Sequence, residues 1–200
     1  MTAAATLAVS APVTAQTFQG DDGLNFVEAV RNADGDKAMQ LLNKNRPGMV
    51  NFKASDGQTA LILAIARSDE QWTAFLLNKG ADPNLAGKGG DTPLINAARV
   101  GFESGVEWLL QLGAKVDADN RMGETALIVA VQQRQLRIVQ MLLQAGADPD
   151  KADHAAGYSA RDYAKRDPRA RDILALIESK SKAQPAKTEK PAKLEDFKLK

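Results

Sequence analysis

One phrase of nine residues occurs three times along the chain at a fixed interval. It reads LLNKGADPN at residues 76–84, LLQLGAKVD at 109–117 and LLQAGADPD at 142–150, so consecutive copies lie 33 residues apart. A polar residue ends each phrase, and a fourth member of this series precedes them: Asn51, Asn84, Asp117 and Asp150. A period of this length indicates stacked supersecondary units, each too small to bury its own apolar face. The interval therefore predicts a repeat solenoid.

The stretch 123–150 shows what one unit is expected to contain. Thr125 is placed to cap a helix start with its hydroxyl, and the small apolar run ALIVAV follows it. A second helix is predicted from Leu136, Val139 and Leu143, which lie at helical spacing on one face. Gly146 is placed to end that helix in a left-handed conformation, ahead of an extended loop. Each unit is thus predicted as helix, turn, helix and long loop.

The unit resembles the ankyrin repeat, which has a period of 33 residues, a Thr-Pro-Leu-His opening and a Gly-Ala-Asp-x-Asn turn. Thr92-Pro93-Leu94 matches the opening best, and isoleucine replaces its histidine as Ile62, Ile95 and Ile128. The resemblance covers about residues 23–178. It implies an all-α repeat solenoid of about five helix-turn-helix units with extended finger loops.

The predicted boundaries follow the period and the shifts in composition. A signal peptide is predicted at 1–15 and a leader at 16–22. The units are 23–56 (unit 1, an N-terminal capping repeat), 57–89 (unit 2), 90–122 (unit 3), 123–156 (unit 4) and 157–178 (unit 5, a C-terminal capping repeat). A disordered tail rich in Lys, Ala and Pro is predicted at 179–200. In unit 5, Asp167 is predicted to cap a helix whose first residue is Pro168.

The N-terminal stretch predicts export. Residues 2–15 are small, mostly apolar and uncharged, and Val13-Thr14-Ala15 places small residues where a signal peptidase accepts them. The positively charged start of a signal peptide is missing. The first interpretation is a bacterial periplasmic or secreted protein that matures before Gln16. The alternative is a disordered leader on a cytoplasmic or host-directed adaptor.

The composition excludes several classes of site. The chain contains no cysteine and one histidine, His154, which excludes disulfides, thiolate nucleophiles and multi-histidine metal sites. We therefore predict no catalytic, cofactor or metal-binding residues and no cofactor. The net charge is +1; the tail carries +4, which leaves −3 for residues 16–178 because residues 1–15 have no charged side chain. No specific nucleic-acid binding is expected from this balance.

Two tryptophans are predicted to lie in the core rather than on a binding surface. Trp72 aligns with Gly105 in the next unit, which suggests that a large side chain fills the space left by a missing one. Trp108 aligns with Phe75 and Met141 on the same buried stripe.

The predicted function is a non-enzymatic protein-interaction module or scaffold; an enzyme is the distant alternative. We expect a protein partner, a monomer and no transmembrane anchor after signal removal. The resemblance implies that residues after the opening tetrad line a concave face. The candidate contact residues there are Arg31, Leu63, Arg67, Asn96, Arg99, Val129, Gln132, Tyr163 and Arg166, and each arginine has nearby acids such as Asp56 or Asp91 as alternative internal partners. The second candidate site is the finger tips, with Lys88, Arg121 and His154.

Overall fold

The computed structural model describes residues 20–44 and 48–180. The predicted signal peptide, the first four residues of the predicted leader and the predicted tail after Lys180 lie outside these ranges. None of the helices in the described part is both long and apolar enough to cross a membrane.

Ten α-helices form two layers within the described residues. They are α1 (Gly20–Arg31), α2 (Gly35–Asn43), α3 (Ala60–Ala66), α4 (Glu70–Asn78), α5 (Pro93–Val100), α6 (Glu103–Gln111), α7 (Ala126–Gln132), α8 (Leu136–Gln144), α9 (Ala160–Arg166) and α10 (Arg171–Lys180). The odd-numbered helices pack on one another as an inner layer, and α4, α6, α8 and α10 pack as an outer layer. The prediction of an all-α repeat solenoid is confirmed.

Four inner helices, α3, α5, α7 and α9, begin at hydroxyl caps. The hydroxyl oxygens of Thr59, Thr92 and Thr125 each accept a hydrogen bond from the backbone N–H three residues later, at 3.2–3.3 Å. Ser159 does the same in unit 5, where the Asp162 carboxylate also accepts from the Ser159 backbone. Each cap satisfies an N–H group that has no partner inside the helix and stabilises the unit by about 1 kcal/mol.

The outer helices end as predicted. Gly146 adopts φ +91°, and the chain then turns so that the Ala147 N–H donates to the Leu142 carbonyl at 3.0 Å. Gly80 and Gly113 take the same conformation at the ends of α4 and α6. A left-handed residue at this place pairs the last helical carbonyls and releases the chain toward the loop.

The periodic Asn and Asp residues are rungs that join neighbouring units. The Asn51 amide donates to the Gly80 carbonyl at 3.1 Å, and its oxygen accepts from the Asp82 N–H at 2.7 Å. Asn84 makes the equivalent pair with the Gly113 carbonyl and the Lys115 N–H. Asp117 has no N–H to donate, and its carboxylate accepts only the equivalent Asp148 N–H, at 2.9 Å. The series seen in the sequence is therefore a set of cross-links between units.

The loops between units form four fingers, whose tips are residues 54–58, 87–91, 120–124 and 153–157. Backbone hydrogen bonds join the tips, from the Arg121 N–H to the Gly89 carbonyl at 2.9 Å and from the His154 N–H to the Met122 carbonyl at 2.8 Å. Gly123 has φ +79°, and a Cβ there would lie 2.5 Å from the His154 nitrogen. The next finger thus passes so close that a side chain cannot be accommodated without a shift.

The predicted burial of Trp72 is confirmed, but its predicted pairing with Gly105 is wrong. Trp72 is 6% exposed. A Cβ at Gly105 would meet the ring of Phe102, at 2.4 Å, because Phe102 directly precedes α6 and folds back over its first turn. Trp72 instead lies toward the preceding unit, where a Cβ at Gly35 would be 3.9 Å from its ring. Trp108 is also buried, and its ring is perpendicular to that of Phe102.

The predicted helix start at Pro168 is also wrong. Helix α10 begins at Arg171, because Pro168 and Arg169 form a turn closed by a bond from the Ala170 N–H to the Asp167 carbonyl. The Asp167 carboxylate accepts from the Arg169 N–H inside this turn, at 3.0 Å, instead of capping a helix.

Candidate partner-binding surface

The first arginines of the concave face are held by partners within the chain. Arg31 pairs with Asp56 at 2.7 Å. Arg67 donates to the backbone carbonyls of Val30 and Arg31, at 2.8 and 2.9 Å, at the end of α1. Arg67, which directly follows α3, therefore caps the C-terminal end of the neighbouring inner helix α1.

Arg99 belongs to a network at the junction of units 3 and 4. It donates to both oxygens of Asp91, at 2.7 and 3.3 Å, and lies 3.8 Å from Glu124. The buried side chain of Asn120 donates to the same two carboxylates at 2.8 and 2.9 Å. Its oxygen also accepts the N–H groups of Met122 and Glu124, at 2.9 and 3.0 Å, so the amide is fully satisfied. This network fixes the third finger against the concave face.

These arginines are fixed without being hidden. The exposed fractions of the Arg31, Arg67 and Arg99 side chains are 43%, 34% and 36%. A side chain that is already ordered loses less conformational entropy when it meets a partner. Internal pairing leaves a large part of each group accessible, so contact of these arginines with a partner stays a prediction.

The C-terminal end of the concave face is aromatic. The Tyr163 hydroxyl donates to Asp153 at 2.6 Å, and Tyr158 and Tyr163 stack edge to face with centroids 5.7 Å apart. The Arg166 guanidinium lies 4.0 Å from the centre of the Tyr158 ring. Sequence reasoning missed Tyr158. The available signal was an aromatic residue directly after the unit-opening glycine, where units 2 to 4 carry Gln58, Asp91 and Glu124.

The pKa values of Asp153 and Tyr163 reflect this contact. Burial alone would raise the pKa of Asp153, but hydrogen bonds from the Tyr163 hydroxyl and from the Ala156 and Gly157 N–H groups outweigh it and lower the pKa. The same bond raises the pKa of Tyr163, because the hydroxyl must keep its proton to donate, and Gln132 opposes this shift with a hydrogen bond. Asp153 is therefore a charged, buried anchor of the fourth finger.

Three uncharged candidates occupy equivalent places on successive inner helices. Leu63 is half-buried against the core, and Asn96 is half-buried and donates to the Thr92 carbonyl of its own helix. Val129 is 2% exposed, so its prediction as a contact residue is wrong. Its side chain is short, and α5 and α9 pack on both sides of α7 and cover it.

The finger-tip candidates Lys88, Arg121 and His154 are exposed and lie at the same position of successive tips. His154 lies 3.8 Å from Asp119, which Lys151 already contacts at 2.9 Å. Within residues 20–44 and 48–180, Lys88 and Arg121 have no ion pair. Lys88 and Arg121 thus differ from Arg31 and Arg99 of the concave face, which each contact a carboxylate.

The comparisons with known proteins give one family. The family model described as "Ankyrin repeats (3 copies)" matches residues 26–120 and, in an overlapping match, residues 76–153. The two matches together cover more than half of the 200 residues. No curated protein matches the chain.

Proposed function

Because this chain belongs to the ankyrin-repeat family, whose members are generally non-enzymatic interaction modules, we propose that it is a binding scaffold for a protein partner. One observation carries the proposal: arginines of successive units are held in place on the concave face and remain a third or more exposed. Arginine and tyrosine dominate the energetics of protein interfaces, and this face adds Tyr158 and Tyr163 at its C-terminal end.

A catalytic role has less support. The acids of the concave face hold arginines, the Asn120 amide or the Tyr163 hydroxyl, and the chain has no cysteine and a single histidine at a finger tip. We propose that the protein acts by binding alone.

A cross-linking experiment tests the concave site. A photoreactive amino acid at Gln132, half-buried on the inner helix α7, is expected to cross-link the partner, whereas the same group at Gln144 on the outer helix α8 is not.

Arg99→Gln is expected to weaken binding by about 2 kcal/mol, roughly thirtyfold, because one charged contact is lost. Mass spectrometry of the adduct and binding titration measure the two effects.

The control for Arg99→Gln is stability. Glutamine keeps a donor for Asp91, so the free energy of unfolding is expected to fall by about 1 kcal/mol or less. Cross-links that form from position 121 and not from position 132 would place the partner on the finger tips, and the arginines would then be structural only.

We further propose that the protein is exported by bacteria and works in the periplasm or outside the cell. The support is the small, uncharged stretch 2–15 that ends in Val13-Thr14-Ala15. The alternative is a cytoplasmic or host-directed adaptor.

Processing distinguishes these two locations. Ala15→Pro is expected to abolish cleavage, because the peptidase groove takes a small residue in extended conformation before the cut, whereas Ala15→Ser is expected to be cleaved normally. Intact mass measured on the envelope fraction checks both. Native protein that keeps residues 1–15 and stays in the cytosol would contradict export.

A further inference from the structure

Two cations, Lys88 and Arg121, and one histidine, His154, follow one another on the tips of fingers two, three and four and are called the cationic column. Lys88, Arg121 and His154 lie 33 residues apart, at the same position of three successive tips. The bonds from the Arg121 N–H to Gly89 and from the His154 N–H to Met122 hold these tips side by side. The backbone therefore fixes the register of the three side chains, and each side chain is exposed.

Two members of this column, Lys88 and Arg121, have no ion-pair partner within the described part of the chain. Arg31 and Arg99 on the concave face, and Arg134 after α7, all pair with carboxylates. Lys88 and Arg121 pair with none there, and Asp119, the acid closest to His154, is already bound by Lys151. Because Lys88 and Arg121 are exposed and hold no internal carboxylate, an external anion can approach them without displacing an acid of the described chain.

An apolar side chain lies within the column. Met122 follows Arg121 at the third tip and is 52% exposed, more than the other exposed large hydrophobic residues of the described chain. Methionine is flexible and packs against varied apolar surfaces. The column thus offers an exposed apolar side chain next in sequence to a cationic one.

We propose that the cationic column binds an acidic, extended segment of a protein partner, with an apolar side chain of that segment against Met122. The proposal rests on the proposed binding function and names the chemistry of the partner. Nucleic acid is a poorer match, because the tips carry no Phe, Tyr or Trp on which a base could stack and residues 16–178 carry a net charge of −3.

The test uses the full chain and a synthetic probe, a fluorescein-labelled peptide of four Glu-Leu repeats. Anisotropy at low ionic strength is expected to show saturable binding, which a Lys-Leu peptide of equal length does not show. Arg121→Glu is expected to weaken binding about tenfold, since reversal replaces an attraction by a repulsion. About 0.3 M salt is expected to weaken the wild type similarly, because the Debye length falls below 8 Å.

The matched control is Arg137→Glu, which reverses the same charge on the outer helix α8, where the Arg137 guanidinium donates to Gln140 of the same turn at 3.2 Å. It is expected to change the affinity less than twofold, and thermal unfolding checks that both variants fold. Absence of binding to the wild type, equal loss in both variants, or tighter binding of single-stranded DNA would overturn the proposal. The cross-link at position 132 does not depend on this peptide, so failure here leaves the concave site to its own test.

Discussion

Replacement of Trp72 by alanine is expected to lower the free energy of unfolding by about 3–5 kcal/mol, a large part of the stability of an ordinary domain. The ring is buried, stacks edge to face on Phe75 with centroids 5.7 Å apart, and reaches the glycine that opens α2. Its removal leaves a void between units 1 and 2 that neither helix pair can close alone. Urea unfolding, followed by the fluorescence of Trp108, measures the loss.

Leu112→Ala is the control for this variant. Leu112 follows α6 in the next unit and is exposed, so its truncation is expected to change the free energy of unfolding by about 0.5 kcal/mol or less. A Trp72 variant as stable as the Leu112 variant would contradict the burial of the indole between units.

The second large effect is expected for Gly123→Ala, at about 2–5 kcal/mol. The left-handed conformation costs an alanine about 1–2 kcal/mol. The new Cβ would also lie 2.5 Å from the His154 nitrogen, which is itself bonded to Met122, so the two fingers must separate at a further cost of about 1–3 kcal/mol. Urea unfolding measures the sum.

Gly157→Ala separates the two causes. Gly157 opens unit 5 as Gly123 opens unit 4, with φ +69°, but no atom lies within 4 Å of the Cβ position. Only the conformational cost of about 1–2 kcal/mol is therefore expected. Equal losses in the two variants would mean that the contact between fingers adds no strain at Gly123.

The features that sequence predicted best are local and repeated. The 33-residue period predicted the solenoid, and the hydroxyl of Thr125 and the flexibility of Gly146 act within a few residues of their own positions. Asp56 and Asp91 were foreseen as partners of concave arginines, and Arg31 and Arg99 contact them. These pairs follow from the short distance between an inner helix and its finger.

The features that sequence did not predict depend on directions between units. Trp72 and Gly105 are equivalent positions in the repeat alignment. The alignment does not show that the Phe102 ring fills the space beside Gly105, or that Trp72 points toward the preceding unit. The burial of Val129 depends on two neighbouring helices, and its residue type alone does not reveal it. The sequence showed the rung residues as a periodic series. It did not show their acceptors, carbonyls 29 residues further on, because these come close only when the units stack.

The rung residue changes from asparagine at the first two junctions to aspartate at the third, so the junctions along the array are not equivalent. At Asn51 and Asn84 a neutral amide both donates and accepts across the junction. At the Asp117 rung the side chain cannot donate, and a different bond crosses the junction: Lys151 donates to the Asp117 carbonyl at 2.7 Å and to the Asp119 carboxylate at 2.9 Å.

Cooperativity in such an array is the coupling by which one folded unit stabilises the next. Amide hydrogen bonds are insensitive to ionic strength, whereas ion pairs between half-exposed side chains are screened. The Asn51 and Asn84 rungs thus contribute a coupling that does not depend on ionic strength. The Asp117 rung contributes one that ionic strength weakens. In concentrated salt, the coupling across the junction of units 3 and 4 is expected to weaken by about 1 kcal/mol or less, while the hydrogen bonds of the Asn51 and Asn84 rungs keep their strength.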